Sequence, residues 1–170
     1  MRSLWLLTIV FLTSCSTPNC PTITTCFPPS EDCVPGIVSQ ISHATNQVLI
    51  AIYYFTSDPI RDALIAAHER GVHVSVIMDK SQESLAGSEV NALSGAGITV
   101  WIDGKHPIFH DKYFVIDKAV VISGSMNLTN AGRRENAENV VFIHDRAVAQ
   151  RYYDNWLSHR EHAKALVIVR

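Results

Sequence analysis

At 170 residues the chain is sized for one domain with a sizeable core. Its 47% hydrophobic and 18% charged content excludes a disordered or fibrous chain. A net charge of −2 excludes a global basic field that would gather polyanions.

The first segment reads as a processing signal. Arg2 precedes the apolar run Leu4-Trp5-Leu6-Leu7-Thr8-Ile9-Val10-Phe11-Leu12, too short for a spanning helix of about twenty residues. Residues 1–14 are therefore expected to be a removable export signal. Leu12-Thr13-Ser14-Cys15 resembles the lipobox of bacterial lipoproteins, which implies lipidation at Cys15. The expected location is then the periplasmic side of a bacterial envelope, held to the membrane by an N-terminal lipid anchor. Loss of Arg2 would leave 13 basic against 16 acidic residues, a net −3. Residues 15–33 are rich in Pro and Thr without an apolar period and read as a tether. Cys20, Cys26 and Cys33 lie in it. An oxidising compartment favours one disulfide and a leftover thiol, with the pairing open. A zinc site made with His43 is the alternative, at spacings that match no common pattern.

The globular part is expected over 34–170. Ile37, Val38 and Ile41 give Val34 to Asn46 a helical spacing. Gln47 to Phe55 is a near-continuous apolar run, the mark of a central strand buried on both faces. Thr56-Ser57-Asp58-Pro59 offers caps and a first-turn proline to a helix carrying Ile60, Leu64, Ile65 and His68 as far as Gly71. Strand Val72 to Met78, a helix near Ser88 to Ser94 and strand Ile98 to Ile102 repeat the alternation. Strands Lys112 to Ile116 and Val120 to Ser123 flank Asp117-Lys118, which suits a hairpin turn. Strand Glu138 to His144 precedes a helix from Asp145 to Ala163, with Val148, Tyr152, Trp156 and His159 on its core side. This order predicts an α/β fold, a layered α/β/α sandwich with a mixed, largely parallel central sheet.

Chemistry concentrates between Lys105 and Arg134, where Lys105, Lys112, Lys118, Arg133 and Arg134 outnumber Asp111 and Asp117. His110 and Lys112 stand two apart ahead of an extended segment and so share a face. An imidazole is a competent nucleophile near neutral pH. A neighbouring ammonium would hold the non-bridging oxygens of a phosphodiester in the transition state. Gly124 is expected to let the backbone approach the phosphate, with Ser125 and Asn127 adding neutral donors. A metal site of His106, His110, Asp111 and Asp117 is the rival reading, and it leaves Lys112 without a role.

His110-x-Lys112, Asp117 and Gly124-Ser125-x-Asn127 together resemble the signature of the phospholipase D superfamily. The flanks Ala51 to Thr56, Pro107 to Lys112 and Glu135 to Asn139 are nearest to its small single-motif bacterial endonucleases of the Nuc type. The resemblance implies a phospholipase D-like fold and a metal-independent, cofactor-free phosphodiesterase. It implies attack by His110 through a phosphohistidine, and protonation of the leaving oxygen by a second histidine. With one motif per chain, that histidine would be His110 of a second copy in a homodimer. One neutral and one protonated imidazole predict a bell-shaped pH–rate profile. The resemblance also implies that Glu138 hydrogen-bonds His110, and that Asp117 orients or supports the site without transferring a proton. Nucleic acid, DNA with RNA open, is the implied substrate; a phospholipid hydrolase or phosphatidyltransferase is the alternative.

Overall fold

In the computed structural model, which describes residues 21–166, strand β1 (Thr22–Cys26) leads to helix α1 (Val34–Ser42) and strand β2 (Gln47–Ile52). Helix α2 (Asp58–Glu69), strand β3 (His73–Asp79), helix α3 (Val90–Gly95) and strand β4 (Thr99–Asp103) follow. The chain then forms strands β5 (Lys112–Ile116) and β6 (Val120–Gly124), helix α4 (Asn130–Arg134) and strand β7 (Val140–His144). Helix α5 (Arg146–Arg160) and the short strand β8 (Lys164–Ala165) close it. The segment expected to be an export signal, Cys15 and Cys20 lie outside the described residues.

One sheet runs in the order β1-β7-β6-β5-β2-β3-β4-β8. It is mixed, as expected, but not largely parallel. Only β2–β3 and β3–β4 pair in parallel, while the other five pairings are antiparallel. Parallel neighbours need a crossover, which α2 and α3 supply, while most antiparallel pairs join strands that are distant in sequence, and only β5 and β6 are linked by a tight turn. In that turn Asp117 and Lys118 have φ of 52° and 50°, the paired positive values of a type I′ hairpin.

Side-chain alternation splits the core into two layers. Val48, Ile50 and Ile52 of β2 face α1 and α2, meeting Ile37, Ile41, Ile60 and Leu64. Leu49 and Ala51 face the opposite way, with Ile77, Tyr113 and Val115, toward Trp156, Tyr152 and Leu157 of α5. The β2 strand is therefore buried on both faces, as its apolar run predicts. Of the expected core side of α5, Trp156 is buried and donates its indole N–H to the Ile50 carbonyl at 2.9 Å. Pro59 stands in the first turn of α2, but Ser57 forms no side-chain cap there. On α5, Asp145 does cap, accepting from the Val148 amide at 2.8 Å.

The segment read as a tether enters the fold. Thr22–Cys26 is an edge strand on β7, and a Cys26–Cys33 disulfide joins it to the start of α1. The disulfide occupies two of the three cysteines of the zinc alternative, and His43 instead donates through Nδ1 to the Ser39 carbonyl at 2.7 Å. Nothing in the apolar pattern of residues 22–26 marks a strand, because β1 is an exposed edge.

Candidate active site

Four strand ends meet at one edge of the sheet. Ile52 of β2 pairs with Lys112 at the start of β5, and Tyr113 with Ser123 near the end of β6. Gly124 pairs with Val140 at the start of β7. This topology brings residues 110, 112, 124, 125, 138 and 139 together from separate parts of the chain.

The loop from β4 to β5 delivers His110. It passes β3, where the buried carboxylate of Asp79 accepts from the Phe109 amide at 2.8 Å and from Ser81 at 2.9 Å. Lys80 reaches the His106 carbonyl at 3.1 Å. His110 itself is exposed, with its ring 4.7 Å from that of Tyr53. Lys112 donates from Nζ to the His110 carbonyl at 3.0 Å and lies 5.3 Å from the Tyr53 ring centre. Burial holds the Lys112 ammonium below the usual lysine range, against the pull of the Glu138 and Asp111 carboxylates.

The Gly-Ser-x-Asn turn is locked by its own contacts. Ser125 donates to Glu138, while its hydroxyl oxygen accepts from the amide and side-chain nitrogens of Asn139 at 3.1 and 3.2 Å. Gly124 has φ +152°, and a Cβ there would lie 2.0 Å from the Asn139 carbonyl oxygen. The approach of the Asn139 backbone thus requires glycine at this position, a constraint apart from its expected role at the phosphate. Leu128 pairs with Tyr54 and Thr56 (N–H to O, 3.0 and 2.8 Å), which seats the turn against the end of β2. Asn127 leaves its side-chain oxygen buried without a hydrogen-bond partner among the described residues.

Two expected site residues stand elsewhere or act otherwise. Asp117 lies past the far end of β5, roughly 17 Å along the strand from Lys112 at about 3.4 Å per residue. Its carboxylate accepts from the amides of Thr45, Asn46 and Gln47, each at 2.8 Å, and from the Thr45 hydroxyl at 2.9 Å. Burial would raise its pKa, but these donors outweigh it and hold the carboxyl below the ordinary range. Asp117 supports the fold and does not reach the cleft. Glu138 sits just before β7, where it accepts from Ser125 and from the Asn136 side chain at 3.1 Å. Among the described residues no hydrogen bond joins it to His110.

A cleft of about 550 Å³ opens at His110 and Lys112. Its other wall is a face of α5 bearing Val148, Arg151, Tyr152 and Asn155. These recur at helical spacing, and Asn155 accepts from the Tyr113 hydroxyl at 2.8 Å. The sequence reading gave Val148 and Tyr152 to the core and missed Arg151 and Asn155. Helical periodicity predicts a shared face, not that its upper half overhangs a cleft.

His106 does not join His110, Asp111 and Asp117. It lies against Asp103, His159 and His162, a grouping of residues up to 59 apart in sequence that no local motif announces.

Residues 37–160 match the family model described as "Cardiolipin synthase, PLD-like domain". A protein of Rickettsia prowazekii named phospholipase D is 38% identical over 144 residues, covering 85% of this chain and 70% of that one. Mitochondrial cardiolipin hydrolase of Mus musculus is 33% identical over 118 residues, which are 69% of this chain but 53% of that protein. The crystal structure of Nuc from Salmonella typhimurium, a phospholipase D family member, matches with a TM-score of 0.83 at 28% identity, covering 87% of this chain and 99% of that one. With the family model matched over residues 37–160, and His110, Lys112 and Gly124 of the motif together on one cleft, the chain belongs to the phospholipase D superfamily and is a phosphodiesterase of that class.

Proposed function

We propose that the chain is a metal-independent endonuclease that hydrolyses DNA, and RNA where it meets it, through a phosphohistidine at His110. The observation that carries this reading is the exposed imidazole on an open cleft that Lys112 and Arg151 also line. An imidazole nitrogen of His110 attacks phosphorus, forming a P–N bond as the P–O bond to the leaving group breaks. The leaving oxygen takes a proton from His110 of a second copy of the chain. That second imidazole, now neutral, removes a proton from water, and the hydroxide displaces His110 to release the phosphate monoester. Lys112 neutralises the non-bridging oxygens. Ser125 and Asn127 supply neutral side-chain donors to the same oxygens. Glu138 holds Ser125 and, with Asp111, partly offsets the burial that lowers the Lys112 pKa.

One motif supplies one histidine, so a homodimer completes the site. Export with a lipid anchor at Cys15 belongs to the same proposal, and the Cys26–Cys33 disulfide supports an oxidising compartment. No described helix is long and apolar enough to cross a membrane.

Phospholipid hydrolysis is the second reading. The names of the rickettsial and mouse relatives favour it, as does Ile108, an exposed apolar side chain two residues from His110. The test incubates the full chain with plasmid, single-stranded DNA and, separately, phosphatidylcholine and cardiolipin vesicles, in excess EDTA beside His110→Ala. DNA cleavage that survives EDTA and is lost in the variant is the expected result. Lipid turnover without DNA cleavage overturns the substrate, and activity retained by His110→Ala overturns the mechanism.

A further inference from the structure

We infer that Asp103, His106, His159 and His162 form a four-coordinate Zn²⁺ site that bolts the end of α5 to the loop carrying His110. Asp103-x-x-His106 comes from the end of β4 and its following loop. His159-x-x-His162 comes from the end of α5. The ligand atoms of all four lie within 4.8 Å of one another. The His162 Nε2 and His106 Nδ1 atoms stand 2.8 and 3.1 Å from the same Asp103 oxygen, Oδ2. Zinc bonds of about 2.0–2.1 Å place ligand atoms roughly 3.3 Å apart in a tetrahedron, so a cation enters with shifts of a few tenths of an ångström at these two contacts. The three imidazoles are mutually edge-on, with centres 5.2, 5.3 and 5.6 Å apart.

Ion pairing with Asp103 alone does not account for the third histidine. The Asp103 side chain is fully buried, and it already engages His106 and His162 together with the Lys105 and His106 amides at 3.1 and 3.0 Å. The Nδ1 atom of His159 is buried with no hydrogen-bond partner among the described residues. Its Nε2 faces the Asp111 carboxylate at 3.5 Å. A metal-bound imidazole shows this division, one nitrogen on the ion and the other toward a carboxylate. The two amides on Asp103 Oδ1 orient the acidic ligand in the same manner.

Three nitrogens and one carboxylate suit Zn²⁺ and not Mg²⁺ or Ca²⁺, which take oxygen ligands. Four protein ligands close the coordination sphere, so the ion is structural and leaves no position for water or substrate. Its place gives it work: His106 lies four residues before His110, Phe109 packs edge-on to His159 at 5.1 Å, and Asp111 follows His110. The ion would fix the nucleophile's loop against α5, which forms the opposite wall of the cleft.

The test needs no substrate and so stands apart from the proposed activity. The full chain, without a histidine tag, is stripped with chelator and titrated with Zn²⁺ and with Co²⁺. One equivalent per chain is expected, with the intense visible absorption of tetrahedral Co²⁺ and a higher Tm in the zinc form. A His106→Gln/His162→Gln double variant should bind at least about 100-fold more weakly, while His68→Gln binds as the parent does. No stoichiometric uptake, or equal uptake by the double variant, overturns the site. If the double variant fails to fold, the wild-type Co²⁺ spectrum decides, and absence of the tetrahedral band overturns it.

Discussion

Replacing Asp117 separates scaffold from chemistry. The side chain belongs to the family motif, yet its four hydrogen bonds all go to Thr45, Asn46 and Gln47 at the far end of the hairpin. Hydrogen bonds to a charged acceptor contribute about 1.5–3 kcal/mol each when shielded. Here water replaces part of that, since Asp117 is only half-buried, so the four together contribute about 2 kcal/mol. Position 117 also has φ +52°, where alanine adds about 1–2 kcal/mol of left-handed strain. Asp117→Asn should therefore lose about 1–2 kcal/mol and Asp117→Ala about 3–4 kcal/mol. For a domain of this size the alanine variant should melt roughly 6–16 °C lower. Because the native carboxyl is held below its ordinary range, its contribution is full above the unfolded pKa. It is lost as pH falls through the lower, native one. The stability gap between parent and Asp117→Ala should narrow in acid as the parent's carboxylate protonates. Denaturant melts across pH, with kcat on bis(p-nitrophenyl) phosphate measured per folded molecule, test both halves. Lost kcat at unchanged stability would refute the scaffold role and return Asp117 to the chemistry.

Two further perturbations probe neighbouring features. Gly124→Ala should cost about 3 kcal/mol or more, since its Cβ would overlap the Asn139 carbonyl at 2.0 Å in a glycine-favouring conformation; a denaturant midpoint equal to the parent's would show that β7 yields freely. Reducing Cys26–Cys33, which closes a loop of sequence separation 7, should remove about 2.5 kcal/mol of loop-closure stabilisation. Calorimetry with and without reductant measures it, and an unchanged Tm would mean that β1 is held by its pairing with β7 alone.

Local order was legible in the residues. The apolar run of β2, the Asp117-Lys118 hairpin, the helical spacing of α1 and α2, and the placing of His110 beside Lys112 all follow from short-range pattern and chemistry. Side-chain period and turn conformation are properties of a few consecutive residues, so sequence alone determines them. The tertiary structure decided what depends on pairing across the chain. Edge strand β1 carries no apolar alternation, because one neighbour and open solvent ask none of it. The antiparallel majority of the sheet arises from which strands become neighbours, and no single segment encodes that. Asp117 has the supporting place expected of it, but only the fold shows that it holds the α1–β2 loop, and Gly124 makes room for the Asn139 carbonyl. Arg151 and Asn155 reached the cleft, and His159 and His162 reached Asp103, only because α5 folds back across the sheet. Periodicity fixes which residues of a helix share a face, whereas packing alone determines what that face meets.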